Sequence, residues 1–145
     1  MKVYTIGFTK KSAESFFTLV QSSGARRLID VRLNNVSQLA GFAKRDDLKY
    51  FLREIPHTDY LAMPELAPTA DMLDRYRKQK GGWPAYEQEF LRLMRDRQVE
   101  TTVARELMAD AVLLCSEDTP DRCHRRLVVE YLQAQWGDLD VRHLV

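Results

Sequence analysis

The side chains best suited to chemistry are concentrated in one segment, CSEDTPDRCHRR at residues 115–126. It carries two thiols, an imidazole, the carboxylate of Glu117 and the guanidiniums of Arg125 and Arg126. Leu127, Val128, Tyr131 and Leu132 repeat at helical spacing, and four residues before the first two lie Cys123 and His124. Both therefore fall on the inward stripe of the helix, in its first turn. Cys115 and Glu117 emerge from the apolar run AVLLC at 111–115, which reads as a strand covered on both faces. Unpaired N–H groups and the positive end of the helix dipole favour an anion there and lower the pKa of a thiol.

Several chemistries are open to these residues. Cys123 could act as a nucleophile, with His124 or Glu117 handling protons. Neighbouring helical residues point about 100° apart, however, so Cys123 and His124 are poorly aimed at each other. Alternatively, Cys115, Cys123 and His124 could ligate zinc or form a redox site, with Glu117 as fourth ligand or base. Their spacing matches neither paired C-x-x-C nor the deaminase pattern, so no metal ligand is assigned. In a third possibility the segment is a rigid wall of an anion pocket, with Arg125 or Arg126 on the ligand. In the plainest one both thiols are small core residues and His124 is a satisfied cap.

Two further groups follow. Alternation puts Asp30 and Arg32 on one side of a strand, either as a structural ion pair or as a guanidinium held ready for a carboxylate or phosphate. The segment GFAKR at 41–45 sets Lys44 and Arg45 beside Phe42. It suits a phosphate backbone with base stacking, or a solvated loop anchored by one ring. Trp83, Tyr86 and Phe90 stand at helical spacing and read as core packing. His57 and His143 carry no supporting pattern.

Strand and helix patterns alternate along the chain. Lys2–Phe8 reads as a strand, and Ser12 and Gly24 bracket a helix through Phe16, Phe17 and Val20. Arg27–Arg32 reads as a second strand. A polar stretch over Leu33–Lys44 leads to a helix through Leu48, Phe51 and Leu52, then a weak strand at Tyr60–Met63. A helix over Asp71–Gln79 ends at Gly81-Gly82, and Pro84 opens the next, with Tyr86, Phe90, Leu91 and Met94 on one face. Another helix is predicted over Thr101–Met108. After AVLLC, Thr119-Pro120 reads as N-cap and first residue of a helix reaching Trp136 and closed by Gly137, and Val141–Val145 ends the chain as a strand. The pattern predicts one α/β domain over 1–145, three-layered and Rossmann-like, with about five mainly parallel strands and helices on both faces. Strand order cannot be read from it.

In open parallel sheets, ligands bind outside the carboxyl ends of the strands. That rule selects Gly7, Phe8 and Thr9, then Asp30 and Arg32, then Cys115, Ser116 and Glu117.

With 22 basic and 21 acidic residues the net charge is +1, which excludes a global field for DNA or an anionic membrane. Arg outnumbers Lys 15 to 7, a bias that fits anion recognition or merely a GC-rich genome. No apolar run approaches the roughly 20 residues of a membrane span. The opening MKVYTIGF passes directly into a strand pattern, and two cysteines make no disulfide framework. A cytoplasmic protein with reduced thiols is expected.

Thr5–Gly7 (TIG), Asp30–Arg32 (DVR), Gly41-Phe42 with Leu48, and above all Cys115-x-Glu117…Cys123-His124-Arg125 together resemble the domain-of-unknown-function 488 family. The likeness runs essentially end to end. It implies a compact α/β domain and supplies no reaction. The signature positions of the family fall on Gly7, Asp30, Arg32, Cys115, Glu117, Cys123, His124 and Arg125. Members often have His or Tyr after TIG, where this chain has Phe8, and many have Leu-Gly where it has Leu66-Ala67.

Together these residues predict a polar pocket for an anionic small molecule or a nucleic-acid segment, with no cofactor implied. Cys123, His124 and Glu117 are the candidate catalytic groups. Gly7, Thr9, Asp30, Arg32, Lys44, Cys115 and Arg125 are the candidate ligand-binding ones. The competing expectation is a non-catalytic binding or regulatory module in which the Cys-His-Arg turn braces the fold.

Overall fold

The computed structural model describes residues 1–36, 41–78, 82–117 and 119–145. Five strands, β1 (Lys2–Gly7), β2 (Arg27–Asp30), β3 (Asp59–Ala62), β4 (Ala111–Cys115) and β5 (Asp140–Leu144), form one sheet in the order β3-β2-β4-β1-β5. Every pairing is parallel. Around it lie α1 (Ala13–Ser23), α2 (Arg45–Glu54), α3 (Ala70–Lys78), α4 (Trp83–Arg97), the single turns α5 (Val99–Thr102) and α6 (Arg105–Met108), and α7 (His124–Trp136).

Alternation along the strands builds the layers. Val3, Ile29, Leu113 and Cys115 join one core with Met72, Tyr86, Phe90, Leu127 and Val128 from α3, α4 and α7. Tyr4, Ile6, Leu28, Val112 and Leu114 join the opposite core with Phe16, Phe17, Leu48 and Leu52 from α1 and α2. β4 is buried at all five positions, which is why it reads as continuous apolar sequence. The predicted three-layer α/β fold is the observed one. Among the described residues, no helix is long and apolar enough to cross a membrane.

Local signals hold where they are strong. The Ser15 N–H donates to Ser12 Oγ at 3.1 Å. At the other end of α1, Gly24 adopts φ +72° and its N–H donates to Gln21 O. Three expectations are corrected. The helix predicted over Thr101–Met108 is two single turns, because Val103 and Ala104 are extended between them. The strand at 27–32 stops at Asp30, whose carboxylate accepts the Arg32 N–H at 3.1 Å and turns the chain out of the ladder. Thr119-Pro120 does not open α7. Residues 120–123 close a turn, the Cys123 N–H donating to Pro120 O at 3.3 Å, and Cys123 itself is the extended N-cap residue (φ −136°, ψ 136°). The predicted helix end at Gln79 and break at Gly81 lie outside the described residues; Gly82 is the N-cap residue of α4.

From neighbouring strands β2 and β4 the chain runs on in opposite directions, to β3 and to β5, with α2 and α7 on opposite faces, so the crevice between their carboxyl ends is the topological switch point. The crevice between β1 and β4 is filled. Gly7 pairs with Cys115, and a Cβ at Gly7 would run into the Glu117 backbone carbonyl and lie 2.6 Å from Arg125 Nη1. The close approach of the 115–117 loop, rather than backbone torsion, is what requires glycine. Gly7→Ala is therefore expected to cost at least about 1–3 kcal/mol, the typical range for overpacking, read as a lower urea midpoint at unchanged slope. An unchanged midpoint would contradict this packing.

Candidate functional site

The open space lies at the switch point, at the carboxyl ends of β2 and β4 beneath α3, α4 and α7. A cavity of about 610 Å³ opens there, within the range of roughly 300–1,000 Å³ usual for small-molecule sites. Its lining includes Arg32, Cys115, Ser116, Glu117, Cys123 and His124 from the strand ends and the α7 turn. Tyr76, Arg77, Trp83, Tyr86 and Arg122 also line it.

The floor is a buried cluster of two thiols and one imidazole. The ligating atoms of Cys115, Cys123 and His124 all lie within 4.8 Å of one another. His124 Nε2 is 2.6 Å from Val31 O, and since a carbonyl only accepts, that nitrogen carries the proton. Burial lowers the His124 pKa and keeps the ring neutral, so Nδ1 is left as an acceptor. Nδ1 stands 3.3 Å from Cys115 Sγ, which donates its S–H to it. The helical fan predicted that Cys123 and His124 would be poorly aimed at each other, and the imidazole meets the thiol of the strand instead.

The two thiols are driven apart. Burial raises the Cys115 pKa, but the Cys123 thiol, the Ser116 N–H and the Arg125 charge outweigh it, and the net direction is downward. Burial and the bond to Cys115 hold Cys123 well above an ordinary thiol. The expected nucleophile is Cys123; the thiol whose surroundings favour the thiolate is Cys115.

Arg125 lies beneath this floor. It is fully buried, and no carboxylate pairs with it among the described residues. Its Nη1 donates to Glu117 O at 2.5 Å and reaches Cys123 Sγ at 3.6 Å, while Nε is 3.4 Å from Thr5 Oγ1. Nη2 has no partner. A buried cation without a counter-charge is costly, and the sulfurs are the groups beside it that can ionise.

The remaining candidates separate. Arg32 lines the cavity, but every nitrogen of its guanidinium is already engaged. Nε and Nη2 donate to the two carboxylate oxygens of Asp30 at 2.8 Å each, and Nη1 donates to Ala43 O at 2.7 Å. Tyr60 donates its hydroxyl to Asp30 at 2.5 Å. Burial first, and then Asp30, push that phenol well above its ordinary pKa. Asp30 thus holds Arg32 in place and does not itself line the cavity. Gly7, Thr9, Lys44 and Arg125 are also absent from the lining. The Thr9 N–H donates to Ser116 O, bracing the loop from outside. Lys44 is exposed ahead of α2, and Phe42 packs on Phe16 and Phe17, which favours the anchored-loop alternative for 41–45. Glu117 is exposed at the mouth, and its carboxylate is not among the clustered donors.

The pattern missed Tyr76, Arg77, Trp83 and Arg122. Tyr86 and Phe90 are core residues as expected, but Trp83 lines the cavity. Its position at the first turn of α4, one turn ahead of the buried stripe, is the one signal that could have set it apart.

The family described as Domain of unknown function DUF488 matches residues 12–132. The chain belongs to that family. Comparison with curated proteins and with solved structures finds no match. The DUF488 match takes in Asp30–Arg32 and the whole Cys115–Arg125 segment, but it is shorter than the end-to-end likeness expected, leaving Thr5–Gly7 and β5 outside. Both departures from the DUF488 pattern have a local account. Phe8 is buried in the core on the α1 side, with the Arg32 guanidinium 5.5 Å from its ring centroid, and contributes nothing to the cavity. Ala67 is extended (φ −91°, ψ 154°), so no glycine is needed there.

Proposed function

We propose that this DUF488 domain is an enzyme that uses Cys115 as a nucleophile on a small anionic ligand bound in the cavity beneath α3 and α4. The observation that carries it is the Cys115 Sγ–His124 Nδ1 contact of 3.3 Å on the cavity floor, with Val31 O fixing the tautomer. The Cys115 proton passes to Nδ1. The sulfur, now anionic, is stabilised by the Cys123 thiol, the Ser116 N–H and Arg125, and attacks the electrophilic atom of the ligand; the bond from that atom to its leaving group breaks, and the leaving group departs with the electron pair and takes the proton from Nδ1. Val31 holds the imidazole, and Arg125 acts through the sulfurs. Arg77 and Arg122 at the mouth form no ion pair among the described residues and supply the attraction for the anion.

Carboxamidomethylation of the intact chain at pH 7 tests this. Cys115 should react first, and His124→Phe should slow it by about 10²-fold, the lower end of general-base contributions. His124→Gln serves as a second variant if packing against Phe90 is disturbed. An unchanged rate in a folded variant would remove His124 from the mechanism.

A zinc centre is the second reading, favoured by three donor atoms within 4.8 Å of one another and by a carbonyl orienting the imidazole. Metal analysis of dialysed protein separates the two: stoichiometric zinc supports that centre, and none with a reactive Cys115 supports the nucleophile. The non-catalytic alternative predicts that Glu117→Gln lowers stability clearly. With Glu117 exposed, the enzyme reading predicts a change within about 0.5 kcal/mol.

A further inference from the structure

One wall of the cavity is aromatic from mouth to floor. Tyr76 and Trp83 are half-buried with ring centroids 5.7 Å apart. Trp83 stacks on Tyr86 at 5.3 Å and 26°, Tyr86 on Phe90 at 6.2 Å, and Phe90 lies 5.5 Å from the His124 ring. Packing alone explains Phe90, which is fully buried. It does not explain why Tyr76 and Trp83 remain partly exposed above the reactive floor.

Tyr86 is the independent observation. Its side chain is only 5% exposed and lines the cavity, yet its hydroxyl has no hydrogen-bond partner among the described residues. That hydroxyl is also not one of the sealed, unsatisfied atoms, which among the described residues are Arg125 Nη2 and Arg126 Nε. A phenol of this kind faces the open volume and has a hydrogen bond to give to whatever enters. The mouth mixes charges, with Arg77 and Arg122 beside Asp74 and Glu117. A bare anion gains little from such a rim. A ligand carrying an anionic group together with hydroxyl or amine donors uses both signs.

We infer that the ligand is a free mononucleotide, a phosphate joined through a hydroxylated sugar to a flat ring, with the ring against Trp83 and Tyr76 and the phosphate drawn by Arg77 and Arg122. The inference rests on the proposed small-anion site and names its ligand class. The ring supplies stacking, the Tyr86 hydroxyl supplies a donor, and the sugar hydroxyls meet the acidic side of the rim.

Calorimetric titration of the full chain with AMP, CMP, ribose 5-phosphate and inorganic phosphate tests it. Base–aromatic stacking is worth roughly 1–3 kcal/mol, so the nucleotides should bind about 5- to 150-fold more tightly than ribose 5-phosphate. Trp83→Leu should abolish that advantage and Trp83→Phe should keep most of it, with circular dichroism confirming the fold of each. Equal affinity for ribose 5-phosphate and AMP, or a Trp83→Leu variant that keeps the full difference, would overturn the inference. So would a single-stranded trinucleotide bound ten-fold more tightly than AMP, since the occupant would then be a strand. If no nucleotide binds while Cys115 stays reactive and is protected by phosphate, the ligand class is wrong and the thiol mechanism stands. If Cys115 is inert while AMP binds through Trp83, the reverse holds.

Discussion

Asp30→Asn is expected to lower the stability of the fold by about 3–5 kcal/mol, the usual consequence of removing one member of a buried ion pair. Both side chains are sealed, at 0% exposure for Asp30 and 2% for Arg32. Each oxygen of the carboxylate receives a guanidinium nitrogen at 2.8 Å, and the Arg32 backbone N–H and the Tyr60 hydroxyl donate as well. Asparagine keeps the shape but leaves the Arg32 charge without its partner and points an N–H₂ group at donors. Replacing both ends tests the cause. Asp30→Leu with Arg32→Met should recover a large part of the loss, because no charge is then stranded. Urea unfolding of the two variants reads the difference. A single variant within about 1 kcal/mol of the parent would contradict the account, since surface substitutions alone fall that low.

The second large effect is on reactivity. Arg125→Met should slow alkylation of Cys115 at pH 7 by about tenfold or more, because an opposite charge at close range moves a pKa by roughly 1–3 units. Methionine is similar in length and leaves no cation to face the sulfurs. Two opposing changes act on stability: the variant loses the donor to Glu117 O, and it removes a buried charge that has no carboxylate partner among the described residues. Arg125→Lys keeps the charge without the planar fork, and it should restore much of the rate while leaving the loop less well held. Equal rates in Arg125→Met and the parent would show that the guanidinium only braces the 115–117 loop.

Much of this arrangement was legible in the sequence, and the parts that were not have physical reasons. The buried run at β4, the bracketed α1 and the strand–helix alternation are local signals, and the sheet follows them. The carboxyl-end rule and the stripe through Leu127 and Val128 brought Cys115, Cys123 and His124 together correctly. Which thiol faces His124 could not be read, because it depends on a β4 residue meeting the start of α7 across the layer. The roles of Arg32 and Arg125 were also hidden. Chain spacing shows that a guanidinium is near a site, but not whether Ala43 O or Glu117 O has already taken its donors. The aromatic wall escaped for a similar reason: Trp83 and Tyr76 belong to different helices, and only their packing sets them over one floor. Gly7 and Thr9 follow β1 and stand at the filled β1–β4 crevice rather than at the open switch point between β2 and β4, so both fall outside the lining.

Ionisation of the two thiols bears on stability with opposite signs. The fold lowers the Cys115 pKa, so its contribution is present above the ordinary thiol value and fades as pH falls through the folded one. The fold raises the Cys123 pKa, so its contribution is full below the ordinary value and is lost as pH rises through the folded one. These partly cancel in an unfolding curve, whereas site-resolved reactivity keeps them apart.

The most direct measurement is therefore the pH profile of Cys115 carboxamidomethylation in the intact chain, with each thiol followed by peptide mass. The predicted profile has its midpoint below the value of about 8.5 for an unperturbed cysteine, with Cys123 unmodified across the range. A midpoint at or above that value, or Cys123 reacting ahead of Cys115, would contradict the claim that Cys115 is the activated nucleophile of this site.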